Sequence, residues 1–262
     1  MSEKINFNQE IYDFIIASLV IAFVFAFNDK QLTFSLNFWI LNYLKILLFV
    51  VIALLVYTFA PKLISKTYGC STSFSIWRMK QYGFRDSAHF PQTLNLGFKK
   101  IIMKSFPLGI FIPIIIAVLS NGQIYFAGIA FTLITINAAY RIGKKYRGLT
   151  DYETAKIGVA GPLALILFAI ILKFFSFSFP QLSQLILISS WLAITNMLPI
   201  PGLDGSQIYF SSRPLFIFSF IFILAAIFLL LLSNIGTLST LMLSAILAVI
   251  ILIVWYYYRV YS

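Results

Sequence analysis

Long apolar runs recur throughout this chain, and they leave it few folds to choose from. They cover residues 11–27, 38–60, 158–173, 182–198, 215–232 and 238–257. A helix needs about 20 apolar residues to cross a bilayer, and only helices or closed barrels satisfy their backbone polar groups there. With 61% hydrophobic and 10% charged residues, the chain has too little polar surface to cover a soluble globule. We therefore predict an all-α, multi-pass integral protein of the cell membrane.

Two shorter apolar runs, 105–119 and 124–136, are separated by a turn-like Ser-Asn-Gly-Gln stretch. Either both cross the membrane as tilted helices, or one of them is re-entrant. Counting both as spans gives eight, so the expected number is about six to eight. Residues 71–77 alternate polar and apolar side chains, which predicts a small strand element after the second span.

The basic residues predict how the chain is oriented. A net charge of +11 could indicate nucleic-acid binding, but most Lys and Arg residues lie between apolar runs, where membrane topology explains them and no nucleic acid is needed. A cytoplasmic N-terminus places the basic segments inside. The expected organisation is an N-terminal span and turn over 1–37, a membrane core over 38–210 with a basic cytoplasmic segment at 62–104, and two C-terminal spans over 211–262.

One stretch, residues 196–207, interrupts the apolar pattern. It reads Asn-Met-Leu-Pro-Ile-Pro-Gly-Leu-Asp-Gly-Ser-Gln, so Pro199, Pro201 and Gly205 stand where a helix would otherwise continue. Asp204 is one of only eight acidic residues in the chain. One interpretation makes Asp204 the N-cap of a following helix, with Gln207 at the capping-box spacing. The other makes Asp204 a functional carboxylate at membrane depth.

The pattern Asn-x-x-Pro-x-Pro-x-Leu-Asp-Gly, which starts at Asn196, resembles the signature of the site-2 protease family. Members of that family are intramembrane zinc metallopeptidases. The resemblance implies that Asp204 occupies the position of the third zinc ligand.

Two further segments carry the same resemblance. Residues 156–163, which contain Gly161 and Pro162, resemble the family's Ala-Gly-Pro-Leu segment, although the Asn that usually follows is absent. Residues 62–70, which end in Tyr-Gly-Cys, resemble the segment after the zinc-binding helix. In all, the similarity covers roughly residues 40 to 210, with the segments in the expected order.

The catalytic motif of the family, His-Glu-x-x-His, would fall at residues 57–61, where this sequence has Tyr-Thr-Phe-Ala-Pro. In that motif two imidazoles on one helix face hold Zn²⁺ while the Glu activates water. Tyr57 is a poor neutral ligand, Thr58 cannot act as a general base near neutrality, and Pro61 has no donor atom. Pro61 is also expected to stop or kink the second span. The resemblance therefore implies a protease fold that has lost both zinc and the general base.

No other residues assemble a convincing catalytic site from sequence. His89 is the only histidine and forms an Asp-x-x-His pattern with Asp86, but both are far from Asp204 in sequence, so we interpret His89 as a loop or interface residue. The single cysteine, Cys70, excludes an internal disulfide. Lys45 has no serine beside it to form a Ser-Lys pair.

We therefore expect a non-catalytic relative of the site-2 proteases, a pseudoprotease without a cofactor. Its expected partners are the bilayer and transmembrane segments of other proteins. Such a segment would bind in a groove where Asn196 and the backbone at Pro199 and Pro201 offer unpaired groups. In place of a metal, Asp204 would accept hydrogen bonds from Tyr57 or Thr58.

Two alternatives remain open. The first is an active zinc metalloendopeptidase that cleaves transmembrane segments and uses other ligands, with zinc as its cofactor. The second is a small transporter or channel, which needs a second polar group near Asp204. Asn196 and Asn137 are the candidates for that group.

Overall fold

The computed structural model describes residues 7–28, 35–79, 92–95, 100–103, 105–137, 148–176, 178–231 and 236–261. Those residues form eight helices and four strands, so the chain is mostly helical. Five of the helices are long and apolar enough to cross a membrane by length and composition. They indicate a membrane-embedded, multi-pass protein, while the cytoplasmic N-terminus stays a prediction.

The first two helices are α1 (Phe7–Ala26) and α2 (Leu36–Thr67), which pack against each other. Of the two expectations for Pro61, a stop or a kink, the stop is wrong, because Pro61 lies inside the helix, which continues to Thr67. A proline removes the one backbone bond that its own N–H would make, but the face that carries Pro61 and Ser65 continues to be buried. Burial of that face is consistent with the helix continuing through the proline.

A small antiparallel sheet follows α2 and joins distant parts of the chain. Strand β1 (Cys70–Ile76) confirms the strand predicted there, and it pairs with β4 (Ala130–Ile136). The expectation that residues 124–136 form a helical span is therefore wrong. Aromatic and β-branched residues dominate β4, and they favour a strand once a partner strand is present. A second pair consists of β2 (Gln92–Asn95) and β3 (Lys100–Met103).

Helix α4 (Asp151–Ser176) lies at the centre of the bundle. It packs against α2 and against four later helices. The helix begins at Asp151, before the apolar run that starts at residue 158, and it contains both Gly161 and Pro162. A capping box explains the earlier start: the Thr150 N–H donates to Glu153 Oε2 (3.0 Å), and the Glu153 N–H donates to Thr150 Oγ1 (3.2 Å).

The remaining helices complete the bundle around α4. Two are too short to be long spans: α3 (Leu108–Leu119) and α5 (Leu182–Asn196). The short α6 (Asp204–Ser211) leads into α7 (Arg213–Leu231), which packs against α8 (Thr237–Tyr261). Because α5 ends at Asn196 and α6 begins at Asp204, the interrupted stretch of the sequence forms a turn between two helices.

Candidate functional site around Asp204

The turn between α5 and α6 is fixed by glycines that accept close neighbours. Gly202 has φ +97°, a conformation that favours glycine, and the Trp77 indole packs directly on it. Gly205 lies against the backbone of Met197, where an added Cβ would overlap the Met197 carbonyl. These contacts hold the first turn of α6 in place, and with it Asp204.

Asp204 is completely buried and accepts three hydrogen bonds. The Tyr57 hydroxyl donates to Oδ2. The Thr132 N–H donates to Oδ1 over 2.7 Å, and the Thr132 hydroxyl donates to Oδ2 over 2.9 Å. Hydrogen bonds to a carboxylate are stronger than those between neutral groups, and a buried charge needs such partners. One carboxylate therefore joins α2, β4 and α6.

Three expectations for Asp204 can be compared with this geometry. The N-cap expectation is wrong, because α6 has Leu203 at its N-cap position and the Asp204 side chain binds Tyr57 and Thr132 instead. The expected hydrogen bond from Tyr57 is present. Thr58 makes no such bond, since its hydroxyl donates to the Leu55 carbonyl (3.2 Å).

Asn196, the last residue of α5, is also fully buried and uses both ends of its amide. Its Oδ1 accepts from the N–H groups of Ile129 (3.2 Å) and Ala130 (2.9 Å), and its Nδ2 donates to the carbonyls of Ala127 (3.2 Å) and Leu192 (2.7 Å). Four bonds satisfy the whole amide group. The expectation that Asn196 offers unpaired groups to a ligand is therefore wrong.

Side chains from helices cap both outer edges of the β1–β4 sheet. Phe74 is paired with Thr132 in the register, and Ile76 with Ala130. All four N–H groups point away from the partner strand. In β4, the Thr132 N–H donates to Asp204 and the Ala130 N–H donates to Asn196. In β1 they bind α1 carboxylates: the Phe74 N–H donates to Glu10 Oε1 (3.1 Å) and the Ile76 N–H to Asp13 Oδ2 (3.3 Å).

The two α1 caps, Glu10 and Asp13, were not predicted from the sequence. Asp13 is 1% exposed and also forms an ion pair with Arg78, while Glu10 pairs with Lys62 Nζ at 2.6 Å. Their sequence signal was available: two carboxylates three residues apart share one face of a helix, on an otherwise apolar segment. An apolar environment lacks water for open strand edges, so these caps satisfy groups that would otherwise be costly to bury.

The degenerate motif positions converge near Asp204. Tyr57, Thr58 and Pro61 line a cavity of about 10 Å³, together with Thr132. That volume is about what one water molecule occupies. Gly161 of α4 lies against the Tyr57 ring, where an added Cβ would stand 3.0 Å from Cε2. The close approach of α4 to α2 at this point requires a residue without a side chain.

The donors around this cavity do not fit a zinc site. Among the residues that the structure describes, no three His, Cys, Asp or Glu side chains lie together. Asp204 is the one carboxylate here, and it is already bonded to Tyr57 and Thr132. His89, interpreted as a loop or interface residue, and Asp86 lie outside the described residues.

The other residues considered from sequence do not join the site. Cys70 is buried at the start of β1, where its thiol donates to the Tyr68 carbonyl (3.5 Å). Asn137 follows β4 at the end remote from Asn196, so the two asparagines do not form one polar site. Pro199 and Pro201 lie in the turn before α6 without contributing a ligand group, and Pro162 lies inside α4.

Comparisons with known proteins found no match to this chain among family models, curated proteins or solved structures.

Proposed function

We propose that this chain is a pseudoprotease: a non-catalytic membrane protein of site-2-protease-like design that binds transmembrane segments of partners. One observation carries the proposal. Tyr57, at the position that the resemblance assigns to the first histidine, donates its hydroxyl to Asp204, at the position of the third ligand. Two residues far apart in sequence, singled out by separate motifs, are in direct contact.

The chemistry at this contact favours a structural role over catalysis. A general base must reach the proton that it removes, and Thr58, at the position of the family's glutamate, donates its own hydroxyl to a helix carbonyl. Pro61 brings only carbon atoms to the position of the second histidine. The Asp204 carboxylate is occupied by three donors, so metal binding there would first have to break those bonds.

The test of this proposal restores the missing motif. The triple substitution Tyr57→His, Thr58→Glu and Pro61→His would place two imidazoles on one face of α2 opposite Asp204. We expect the purified triple variant to hold about one zinc per chain by elemental analysis, as four-coordinate catalytic sites do. The native chain, purified in the same detergent and buffer, should hold none.

The matched control adds Asp204→Ala to the triple variant, and thermal unfolding in detergent verifies that each variant is folded. Zinc bound equally with and without Asp204 would contradict the proposed geometry. Stoichiometric zinc in the native chain that is lost in Asp204→Ala would overturn the pseudoprotease proposal in favour of the metalloendopeptidase.

Partner binding is tested separately with a photo-crosslinking residue. Leu55 lies on the exposed face of α2, on the side away from the buried Tyr57, whereas Ile253 lies on the exposed face of α8. We expect position 55, but not position 253, to form a discrete adduct with another membrane protein in native membranes. Adducts with lipid alone at both positions would contradict partner binding through the exposed face of α2.

A further inference from the structure

A cavity of about 560 Å³ lies at the C-terminal end of α2, next to the start of β1. It is separate from the small cavity at Tyr57 and larger by far. Four residues of one α2 face line it, at the i, i+3, i+4 and i+7 positions that share a side of a helix. These residues are Phe59, Lys62, Leu63 and Lys66.

The wall of this cavity has an apolar end at Phe59 and a basic end at Lys66. Phe59, which is 62% exposed, lies towards the middle of α2, and Lys66 lies towards its C-terminal end. Lys62 and Leu63 lie between them. From Phe59 to Lys66 the helix rises by about 10 Å. An apolar surface followed by a positive one matches a molecule with a hydrocarbon chain and an anionic head.

The two lysines differ in their charge balance. Lys62 pairs with Glu10 over 2.6 Å, so a carboxylate already compensates it. Lys66 has no ion-pair partner among the residues that the structure describes and is exposed. One uncompensated positive charge therefore lies at the polar end of the cavity.

Two unsatisfied polar side chains line the same cavity. Thr72 is 9% exposed, and its Oγ1 is buried without a hydrogen-bond partner. Buried hydroxyl groups are nearly always hydrogen-bonded, so Thr72 leaves one hydrogen-bonding position unused beside this cavity. Asn137 contributes a side-chain amide that has no partner within the described residues. A hydroxyl, an amide and an ammonium can together donate to the oxygens of one phosphate.

We propose that this cavity binds the head and the first part of an acyl chain of an anionic phospholipid. The volume lies in the range of small-molecule sites, and α2 is one of the helices suited to cross a membrane. Its end therefore lies where lipid headgroups lie, and anionic lipids are the abundant anionic amphiphiles at that level. Lys66, Thr72 and Asn137 bind the phosphate, while Phe59 and Leu63 contact the chain.

Native mass spectrometry of the full chain in detergent tests the proposal. Phosphatidylglycerol and phosphatidylcholine of the same chain length are titrated separately, with glycerol 3-phosphate as a soluble competitor. We expect phosphatidylglycerol to bind at least about fivefold more tightly than phosphatidylcholine, the usual effect of one lysine at an anionic surface. Glycerol 3-phosphate at equal concentration should not displace it.

Four variants locate the site. Lys66→Gln and Thr72→Val should each weaken phosphatidylglycerol binding severalfold, and Lys66→Arg should retain it because the charge remains. Lys45→Gln is the matched control, since Lys45 lies near the other end of the same helix, over the Phe49 ring. Equal binding of the two lipids, equal losses at positions 45 and 66, or displacement by glycerol 3-phosphate would each overturn the proposal.

Discussion

Phe74 and Thr132 face each other across β1 and β4, and each directs its N–H outwards to a carboxylate, Glu10 for Phe74 and Asp204 for Thr132. A two-stranded sheet has two outer edges, and unpaired edges are costly where water is scarce. Asp204 and Glu10 thus have the same role, because each carboxylate accepts a hydrogen bond from an outward-pointing strand N–H. This equivalence supports a structural function for Asp204.

Removal of the Asp204 carboxylate should destabilise the fold strongly. Asp204→Ala leaves the Thr132 N–H and the Tyr57 hydroxyl buried without acceptors, so we expect a loss of about 3 kcal/mol. Asp204→Asn keeps one acceptor oxygen and should lose less. Thermal unfolding in detergent measures both, with Asp151→Asn at an exposed position as the control. If Asp204→Asn lowered neither stability nor partner binding, Asp204 would have no such role.

The Tyr57 hydroxyl should matter only through Asp204. Tyr57→Phe removes one donor to a buried charge, which should cost about 1–3 kcal/mol. In a double-mutant cycle with Asp204→Asn, the two effects should not add. Tyr43→Phe on the same helix removes a hydroxyl that donates to the Leu19 carbonyl at an exposed position, and it should cost less. Strict additivity would show that the Tyr57–Asp204 contact contributes no stability.

Asp13 should be as sensitive to substitution as Asp204. Asp13→Ala removes the partner of Arg78, whose side chain is 33% exposed, and the acceptor for the Ile76 N–H, so we expect a loss of about 1–3 kcal/mol. Asp13→Asn should recover part of the loss because it still accepts from the backbone. Chemical unfolding of the purified variants measures the effect. Equal stability of Asp13→Ala and the native chain would refute the edge-capping role.

Gly205 should tolerate no side chain. Gly205→Ala places a Cβ in the space of the Met197 carbonyl, so the turn before α6 must shift, at a cost of about 1–3 kcal/mol or more. Gly148→Ala is the matched control, because a Cβ there meets nothing within 4 Å. The comparison is made by thermal unfolding. Similar melting temperatures for the two variants would show that the turn adapts freely.

Local sequence patterns predicted the elements better than their boundaries. Long apolar runs predicted the long helices, and alternation predicted β1. The missing N–H of Pro61 wrongly predicted the end of a helix there. In the structure α2 continues through Pro61, and the face that carries Pro61 and Ser65 stays buried. The hydrophobicity of residues 124–136 obscured a strand that requires β1 as its partner, 64 positions away at Ser71 and Thr135. Pairing over such a separation is not visible in a local pattern.

Only one contact of the Asp204 site was predicted from the sequence, and it joins residues from two separate motifs. The resemblance placed Tyr57 opposite Asp204, and the hydrogen bond between them is present. Asn196 was predicted to offer unpaired groups to a ligand, whereas its side-chain amide caps the strand edge at Ala130. Glu10 and Asp13 belong to no motif, and their partners lie 64 and 63 positions further on.

The positions of the four caps also set an order of assembly. Glu10 and Asp13, which cap β1, precede that strand and are synthesised before it. Asn196 and Asp204, which cap β4, follow the residues that they bind by 66 and 72 positions. During synthesis β4 therefore emerges before the side chains that complete its outer edge. We expect nascent chains arrested before residue 196 to have a protease-sensitive β4, and chains arrested beyond α6 to be protected. Protection of β4 in the shorter chains would mean that another group shields the strand. Protection only in the longer chains would mean that the fold is completed when residues 196–204 bind β4.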